Sequence, residues 1–403
     1  MSSFLLQKTP PRIEMGGQAV IEGVLMRAKG GYAVALRRED GAIVIRQVPY
    51  RPLARALPLL KLPIVRGMTA LIEMLAIGTR SLQWSAEVYE ETLRRREGTP
   101  AESTQDPAQA LQKEEAIDSA PLPRTASDAF RHAGFAGMLA LSLALVVLMV
   151  IVAPNALTLL TGKLPFLHAW AEARGTLGFT EENHPFAFNL ISGVFRAAIL
   201  VGYVWVISLN RDIRRVFEYH GAEHKAVLEL EAKGDERKVT VGGAQAHDTL
   251  HPRCGTTFLA VVVLVSIVFF AFAGAGLVAY VSGYPEWPFW QRKLATLGAH
   301  LLLLPLVAGT AFELMKFCAR HERNPLCALL LWPGFRFQRL TTRPPDDEQV
   351  EVAVVAMLAA LALDENASHP RQYVVRGLHD DETAPGYIPP SAPTIQPTTE
   401  AVG

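Results

Sequence analysis

AGFAGMLALSLALVVLMVIVA, residues 133–153, carries no charged side chain over 21 positions. A helix rises about 1.5 Å per residue, so roughly 20 apolar residues cross a hydrocarbon core about 30 Å thick. A second run, FLAVVVLVSIVFFAFAGAGLVAYV at 258–281, is uncharged over 24 positions. Residues 187–209 are apolar apart from Asn189 and Arg196, and 294–312 apart from His300, with Pro305 as an expected kink. These four stretches decide the fold class: a mainly α-helical polytopic membrane protein with about four transmembrane helices and the lipid bilayer as its partner.

Outward from these runs, the flanking cations set an orientation. The segment after 209 brings Arg211, Arg214, Arg215, Lys225 and Arg253, and the flank after 312 brings Lys316, Arg320 and Arg323. The loop at 154–186 has only Lys163 and Arg174, and that at 282–293 only Arg292 and Lys293. Cations concentrate on the cytosolic side. Both termini and the 210–257 loop are therefore expected in the cytosol, with the chain in the cell (inner or plasma) membrane. The N-terminus, MSSFLLQKTPPRIEMGG, lacks the apolar centre of a leader peptide, and no cleaved signal is expected.

Hydrophobic residues make up 50% of the 403 and charged residues 19%, a balance unlike that of an ordinary soluble enzyme. The formal net charge is zero, so no field points to nucleic acid, and none is expected as a partner. Three cysteines, Cys254, Cys318 and Cys327, make no disulfide framework and fit a reducing compartment.

Residues 1–65 read as a cytosolic β-rich unit. Gln18–Met26, Tyr32–Arg37 and Ala42–Val48 are the expected strands, with Asp40-Gly41 as a hairpin turn. From 66 to 96 the apolar residues fall at helical spacing, but Glu73 and Arg80 interrupt them. That predicts a helix lying on the membrane or packed on the protein, and not a span. Residues 97–128 read as a flexible linker and 129–317 as the transmembrane region. Residues 318–366 read as a cytosolic segment with a helix, and 367–403 as a disordered tail.

Within the 210–257 loop stands Tyr219-His220-Gly221-Ala222-Glu223-His224. Positions i and i+4 share a helix face, so His220 and His224 can hold one metal ion, with Glu223 placed to act on a metal-bound water. H-x-x-E-H is also the spacing of inverted zinc metallohydrolases. His251-Pro252-Arg253-Cys254 precedes the third span and adds two zinc-type ligands, His251 and Cys254. The span boundaries bring these elements, and Glu313, to one membrane face. Glu313 at the end of the fourth span needs a partner, either the metal or a cation such as Arg211 or Arg214. Arg196, near the middle of the second span, either snorkels or pairs within the bundle. Glu22 and Arg27 read as an ion pair inside the N-terminal hairpin, and His247 and His321 as ordinary polar residues.

These motifs resemble the bacterial YqhQ family of membrane proteins. The resemblance covers most of 12–365 and rests on GGQAVIEGVLMR at the start, YHGAEHK at 219–225, HPRCGT at 251–256, PLVAG at 305–309 and LTTRPPDDEQVEVA at 340–353. It implies a membrane location and a metal, and supplies no substrate. Two functions stand level. One is a metal-dependent enzyme, a hydrolase, with Zn²⁺ or a similar divalent ion on His220, His224 and His251 or Cys254, and Glu223 as base. The other is a scaffold or assembly factor with a structural zinc, the better reading if all four ligands close a tetrahedron. Transport is weaker, since no repeat and only one intramembrane charge are visible.

Overall fold

A computed structural model describes residues 15–51, 62, 65–96, 141–142, 144–176, 178–321, 324–363 and 369–375. Its strands are β1 Gly16–Val20, β2 Gly23–Arg27, β3 Gly31–Arg37, β4 Ile43–Pro49 and β5 Arg371–Val375. Its helices are α1 Val65–Arg96, α2 Ala153–Thr161, α3 Pro165–Glu172, α4 Pro185–Ile207 and α5 Arg211–Lys233. They continue as α6 Val241–Gln245, α7 Gly255–Tyr280, α8 Phe289–Arg320, α9 Pro325–Thr341 and α10 Asp347–Leu361. The expected linker at 97–128 lies outside the described residues.

Four helices are long and apolar enough to cross a membrane: Ala144–Thr161, Pro185–Ile207, Gly255–Tyr280 and Phe289–Cys318. The chain is a polytopic membrane protein, as its apolar runs imply. The first span differs in extent, running on past residue 153 to Thr161, while its start lies outside the described residues. A π-helical turn at Leu148–Val152 precedes α2 and carries the helix past Pro154. Asn155, polar in sequence, is satisfied inside the bundle by the Ser192 hydroxyl at 2.7 Å. The central span is α7, against which α4, α8 and α9 all pack. Small residues permit this approach: a Cβ at Gly193 would stand 2.8 Å from Ile267, and one at Gly274 2.3 Å from the Asn189 amide. Pro305 lies inside α8, which continues through it.

The strands form one antiparallel sheet in the order β1-β2-β3-β4-β5. Both sides of β2 and β3 are buried, because the sheet lies between helices. On one face Val24, Met26, Ala33, Ala35, Ile43 and Ile45 meet α10 and α5. On the other, Val20, Leu25, Val34 and Val44 meet Ile77 and Trp84 of α1. Helix α10 is apolar all round, and Val350 and Val352–Leu358 are buried. Such a helix needs partners on every side, and each fully buried Val or Leu contributes about 1.5–3 kcal/mol. A capping box between Asp346 and Gln349 fixes where it starts.

Three expectations are corrected here. Gln18–Met26 is not one strand: the chain reverses at Ile21-Glu22, where Val20 pairs with Gly23 and Glu22 adopts φ 54°. Glu22 and Arg27 do not pair with each other. Glu22 binds Arg215 at 2.5 Å and accepts from the Tyr219 hydroxyl at 3.3 Å, whereas Arg27 reaches Glu73 of α1 at 3.5 Å. Arg371–Val375, in the tail expected to be disordered, is β5, paired along β4 from Ile43↔Val375 to Gln47↔Arg371.

Helix α1 is packed on the protein. Its start meets α8, where a Cβ at Gly67 would stand 2.8 Å from Phe312. There Arg66 grips Glu313 with two hydrogen bonds, at 2.7 and 2.5 Å. Glu313 thus has Arg66 as a partner, a cation that its sequence neighbourhood did not suggest. Leu71, Ile72, Leu75 and Leu82 remain exposed along α1.

Candidate metal centre

Helix α5 begins at Asn210, whose side chain accepts from the Asp212 and Ile213 amides, and ends at Gly234 in the left-handed conformation. Its middle turns, 219 to 230, are largely buried between the sheet unit and the ends of the spans. His220 and His224 therefore project from one helix face into the interior, with ring centroids 4.5 Å apart. The His220 Nδ1 donates to the Thr341 carbonyl at 2.8 Å, and the His224 Nδ1 to the Thr249 carbonyl at 2.5 Å. A carbonyl only accepts, so each Nδ1 carries the proton and each Nε2 is left to face the site. The His224 Nε2 is buried and has no hydrogen-bond partner among the described residues.

Cys254 completes the group. It caps the N-terminus of α7, its thiol accepting from the Thr256 amide at 3.4 Å, and its Sγ lies 3.2 Å from the His220 Nε2. One ligand atom from each of His220, His224 and Cys254 lies within 4.8 Å of the others, and all three residues are buried. Burial disfavours a thiolate, but the His220 hydrogen bond and the charges of the two imidazoles beside it outweigh that cost and bring Cys254 down to about 3. Burial likewise opposes charge on His220, and the Cys254 sulfur overcomes it, raising the imidazole to about 9. The thiolate is the metal-binding form of cysteine, and a helix N-terminus favours it.

Glu223 lies beside this group. Burial pushes its carboxyl up, against the pull of His224 and His220, and the Gly17 amide donates to it. Its Oε2 is buried with no hydrogen-bond partner among the described residues. Gly17 is required at this contact: a Cβ there would stand 2.4 Å from the Leu25 carbonyl and 2.9 Å from the Glu223 carboxyl carbon. Gly221 has a packing reason too, since its Cβ would meet the Arg343 carbonyl at 2.1 Å.

His251 is buried nearby, its ring 5.6 Å from that of His224, but it is not in the group of three. Its Nδ1 accepts from the Arg253 amide at 3.3 Å, and its Nε2 faces Glu231 at 3.6 Å. Gln338, fully buried, clasps the His251 backbone, accepting from its amide at 2.8 Å and donating to its carbonyl at 3.0 Å. His247 binds Glu229 at 2.8 Å, and the His321 Nδ1 donates to Phe317 of its own helix. Sequence reasoning missed Thr249, Gln338 and Thr341 as supports. The threonines act through backbone carbonyls, which no residue type announces. Thr341 and Arg343 do lie in the LTTRPPDDEQ stretch, and Gly17 in GGQAV.

Fold and site together define a polytopic membrane protein with a buried His-His-Cys cluster where a sheet-and-helix unit meets the span ends. The family described as "Protein of unknown function (DUF1385)" matches residues 62–363. The chain is 30% identical over 376 residues, 91% of its length and 99% of the relative's, to the "Uncharacterized protein YqhQ" of Bacillus subtilis (strain 168). It belongs to this YqhQ (DUF1385) family. No solved structure matched the chain.

Proposed function

We propose that the protein is a metal-dependent enzyme, a hydrolase, at the cytosolic membrane face, with a divalent ion, Zn²⁺ first, held by His220, His224 and Cys254. The observation that carries this reading is the three-ligand group itself, whose ligand atoms lie within 4.8 Å of one another beside a Glu223 oxygen that has no hydrogen-bond partner among the described residues. Two imidazole nitrogens and a thiolate suit zinc, and three protein ligands are the number that catalytic sites use, leaving one position for water or substrate. A bound ion supplies Lewis acidity and acidifies water.

The chain's own residues supply the rest. Thr341 and Thr249 fix the two histidine tautomers, the helix N-terminus holds the thiolate, and the Gly17 amide orients one Glu223 oxygen while the other is free to take a proton. The cytosolic placement rests on the cations of α5 and of the last turns of α8, which flank the same end of the bundle.

The structural-zinc reading needs a fourth ligand. His251 is the candidate, as its buried Nε2 has no hydrogen bond among the described residues. Its engagement with Arg253 and Glu231 favours the three-ligand set instead.

Metal analysis of the purified protein tests the site, and Glu223→Gln separates the two readings. His220→Ala and Cys254→Ser are expected to lose the ion, and unchanged metal content in both rejects the site. Glu223→Gln is expected to keep the ion and fail to complement a deletion strain. Full complementation by Glu223→Gln beside a dead His220→Ala rejects the catalytic reading and leaves the metal.

A further inference from the structure

Strand β1 is the end strand of the sheet, paired with β2 on one side only. The ladder fixes where its backbone points. Between β2 and β3 the Arg37 amide donates to the Glu22 carbonyl at 2.9 Å, and the Ala28 amide to that of Gly31 at 2.9 Å. Glu22, Val24, Met26 and Ala28 therefore turn their backbone polar groups toward β3, and Gly23, Leu25 and Arg27 turn theirs toward β1. The partners of these last three, Val20, Gln18 and Gly16, face β2 in return. Gly17, Ala19 and Ile21 are left facing outward.

Two of the outward amides are engaged. That of Ile21 donates to the Ser85 hydroxyl of α1 at 3.3 Å, and that of Gly17 to the Glu223 carboxylate. Among the described residues nothing binds the Gly17 carbonyl, or the amide and carbonyl of Ala19. Gly16 is exposed, and Gly17, Gln18 and Ala19 are half-buried. A free strand edge is a template for another extended chain, and proteins blunt such edges with charge, proline or a bulge. The GGQAV strand has no charge and no proline, and its register with β2 is unbroken. Its small residues let another backbone come close.

This edge runs up to the His-Cys cluster. A Cβ at Gly17 would stand 2.9 Å from the carboxyl carbon of Glu223, which lies on α5 between His220 and His224. Glu223 is only 6% exposed, and its second oxygen has no hydrogen-bond partner among the described residues. A free edge and a buried carboxylate thus meet at one glycine.

We propose that the substrate is an extended polypeptide segment, bound antiparallel along the outer edge of β1 with its scissile carbonyl at Glu223. This rests on the hydrolase reading above and names its substrate class. The substrate residue opposite Ala19 makes both strand hydrogen bonds. Two residues on, about 7 Å along the chain, the residue opposite Gly17 donates to the Gly17 carbonyl. Its own carbonyl finds the Gly17 amide already held by Glu223, and is left at the carboxylate beside the cluster. Main-chain pairing of this kind supplies affinity, and side chains add selectivity. Hydrolysis needs only water as co-reactant. The water oxygen adds to the carbonyl carbon as one proton passes to Glu223; the C–N bond then breaks, and Glu223 returns that proton to the leaving nitrogen.

The test uses the full-length protein in neutral detergent, with its zinc content measured. The probe is a tryptic digest of a bacterial lysate, read by mass spectrometry for new peptide termini. New termini are expected with the wild type and not with Glu223→Gln. The best-cleaved peptide is then resynthesised with single N-methyl groups. Methylation of the residue that supplies the scissile carbonyl, or of the residue two before it, is expected to lower cleavage about fivefold or more, the loss of one hydrogen bond. Methylation of the residue between them, whose amide points away from β1, is expected to change little. Ala19→Pro removes an outward amide and no ladder bond, so it is expected to keep zinc and Tm and to lower kcat/KM by a similar factor. The methyl series decides the matter even where Ala19→Pro is unstable. Zinc-loaded wild type that yields no new termini overturns the peptide substrate and leaves the metal site standing. If Ala19→Pro then splits a dimer, the edge belongs to a second copy of the chain. Equal effects at all three methyl positions overturn the strand pairing. Wild type that holds no zinc removes this proposal together with the hydrolase reading.

Discussion

Two neighbouring glycines carry opposite predictions. Gly16 has open space where a Cβ would go, whereas Gly17 is closed off by the Leu25 carbonyl and the Glu223 carboxyl. Gly16→Ala is therefore expected to leave stability and metal content unchanged. Gly17→Ala is expected to cost about 1–3 kcal/mol, the usual range for overpacking, and to displace Glu223. Thermal unfolding of both variants and complementation by Gly17→Ala check this; equal behaviour of the two contradicts the contact. The same scale explains Glu22. A non-glycine residue at positive φ costs about 1–3 kcal/mol and persists only when its surroundings hold it. Here Arg215 and Tyr219 hold its carboxylate. Glu22→Gly relieves the turn but removes that tie to α5. A double-mutant cycle with Arg215→Ala is expected to show coupling of about 0.5–1 kcal/mol, since the arginine is about half exposed.

At the scale of elements, the Arg66–Glu313 fork and the Gly67–Phe312 contact join α1 to the end of α8. Each ionic side chain is about a third exposed, so the fork contributes about 1 kcal/mol or less, and its role is to fix the angle of α1. Strand β5 is the more consequential element. Without it, β4 becomes an open edge with unpaired backbone groups. Deletion of Arg371–Val375 is expected to lower Tm by several degrees and to speed hydrogen exchange at the β4 amides that face β5. Unchanged exchange there contradicts the pairing. The short RQYVV run gave no sequence signal because it stands among polar, Pro- and Thr-rich residues, far along the chain from its partner. By contrast, Ala42–Val48 was legible as β4 because its Val and Ile content and the Asp40-Gly41 turn are local.

For the whole molecule, the orientation is the open prediction. Reporter fusions at residues 170 and 286 are expected to read as external, and fusions at 235 and 345 as cytosolic. A cytosolic reading at 170 inverts the arrangement and moves the His-Cys cluster to the opposite face. The sheet unit is assembled from three distant segments: β1–β4 near the N-terminus, α5 and α6 between the second and third spans, and α10 with β5 after the fourth. Taken as stretches of sequence these look like separate cytosolic pieces. Their apolar surfaces are complementary only once the spans bring them to one end.

That there are four spans was legible in the sequence, because a long run with almost no charge has few stable settings other than a hydrocarbon layer. The sequence also determined that His220 and His224 share a face, because helical periodicity is local. It took the packed chain to bring Cys254 to them while His251 turns toward Glu231, to set Gly17 against Glu223, and to give Glu313 to Arg66. Those pairings depend on distances between elements that the chain does not encode in any one stretch. They are set when the buried faces of α5, α7 and α10 find their partners, and an ångström or two of helix placement selects which nitrogen, sulfur or carboxylate comes within bonding reach.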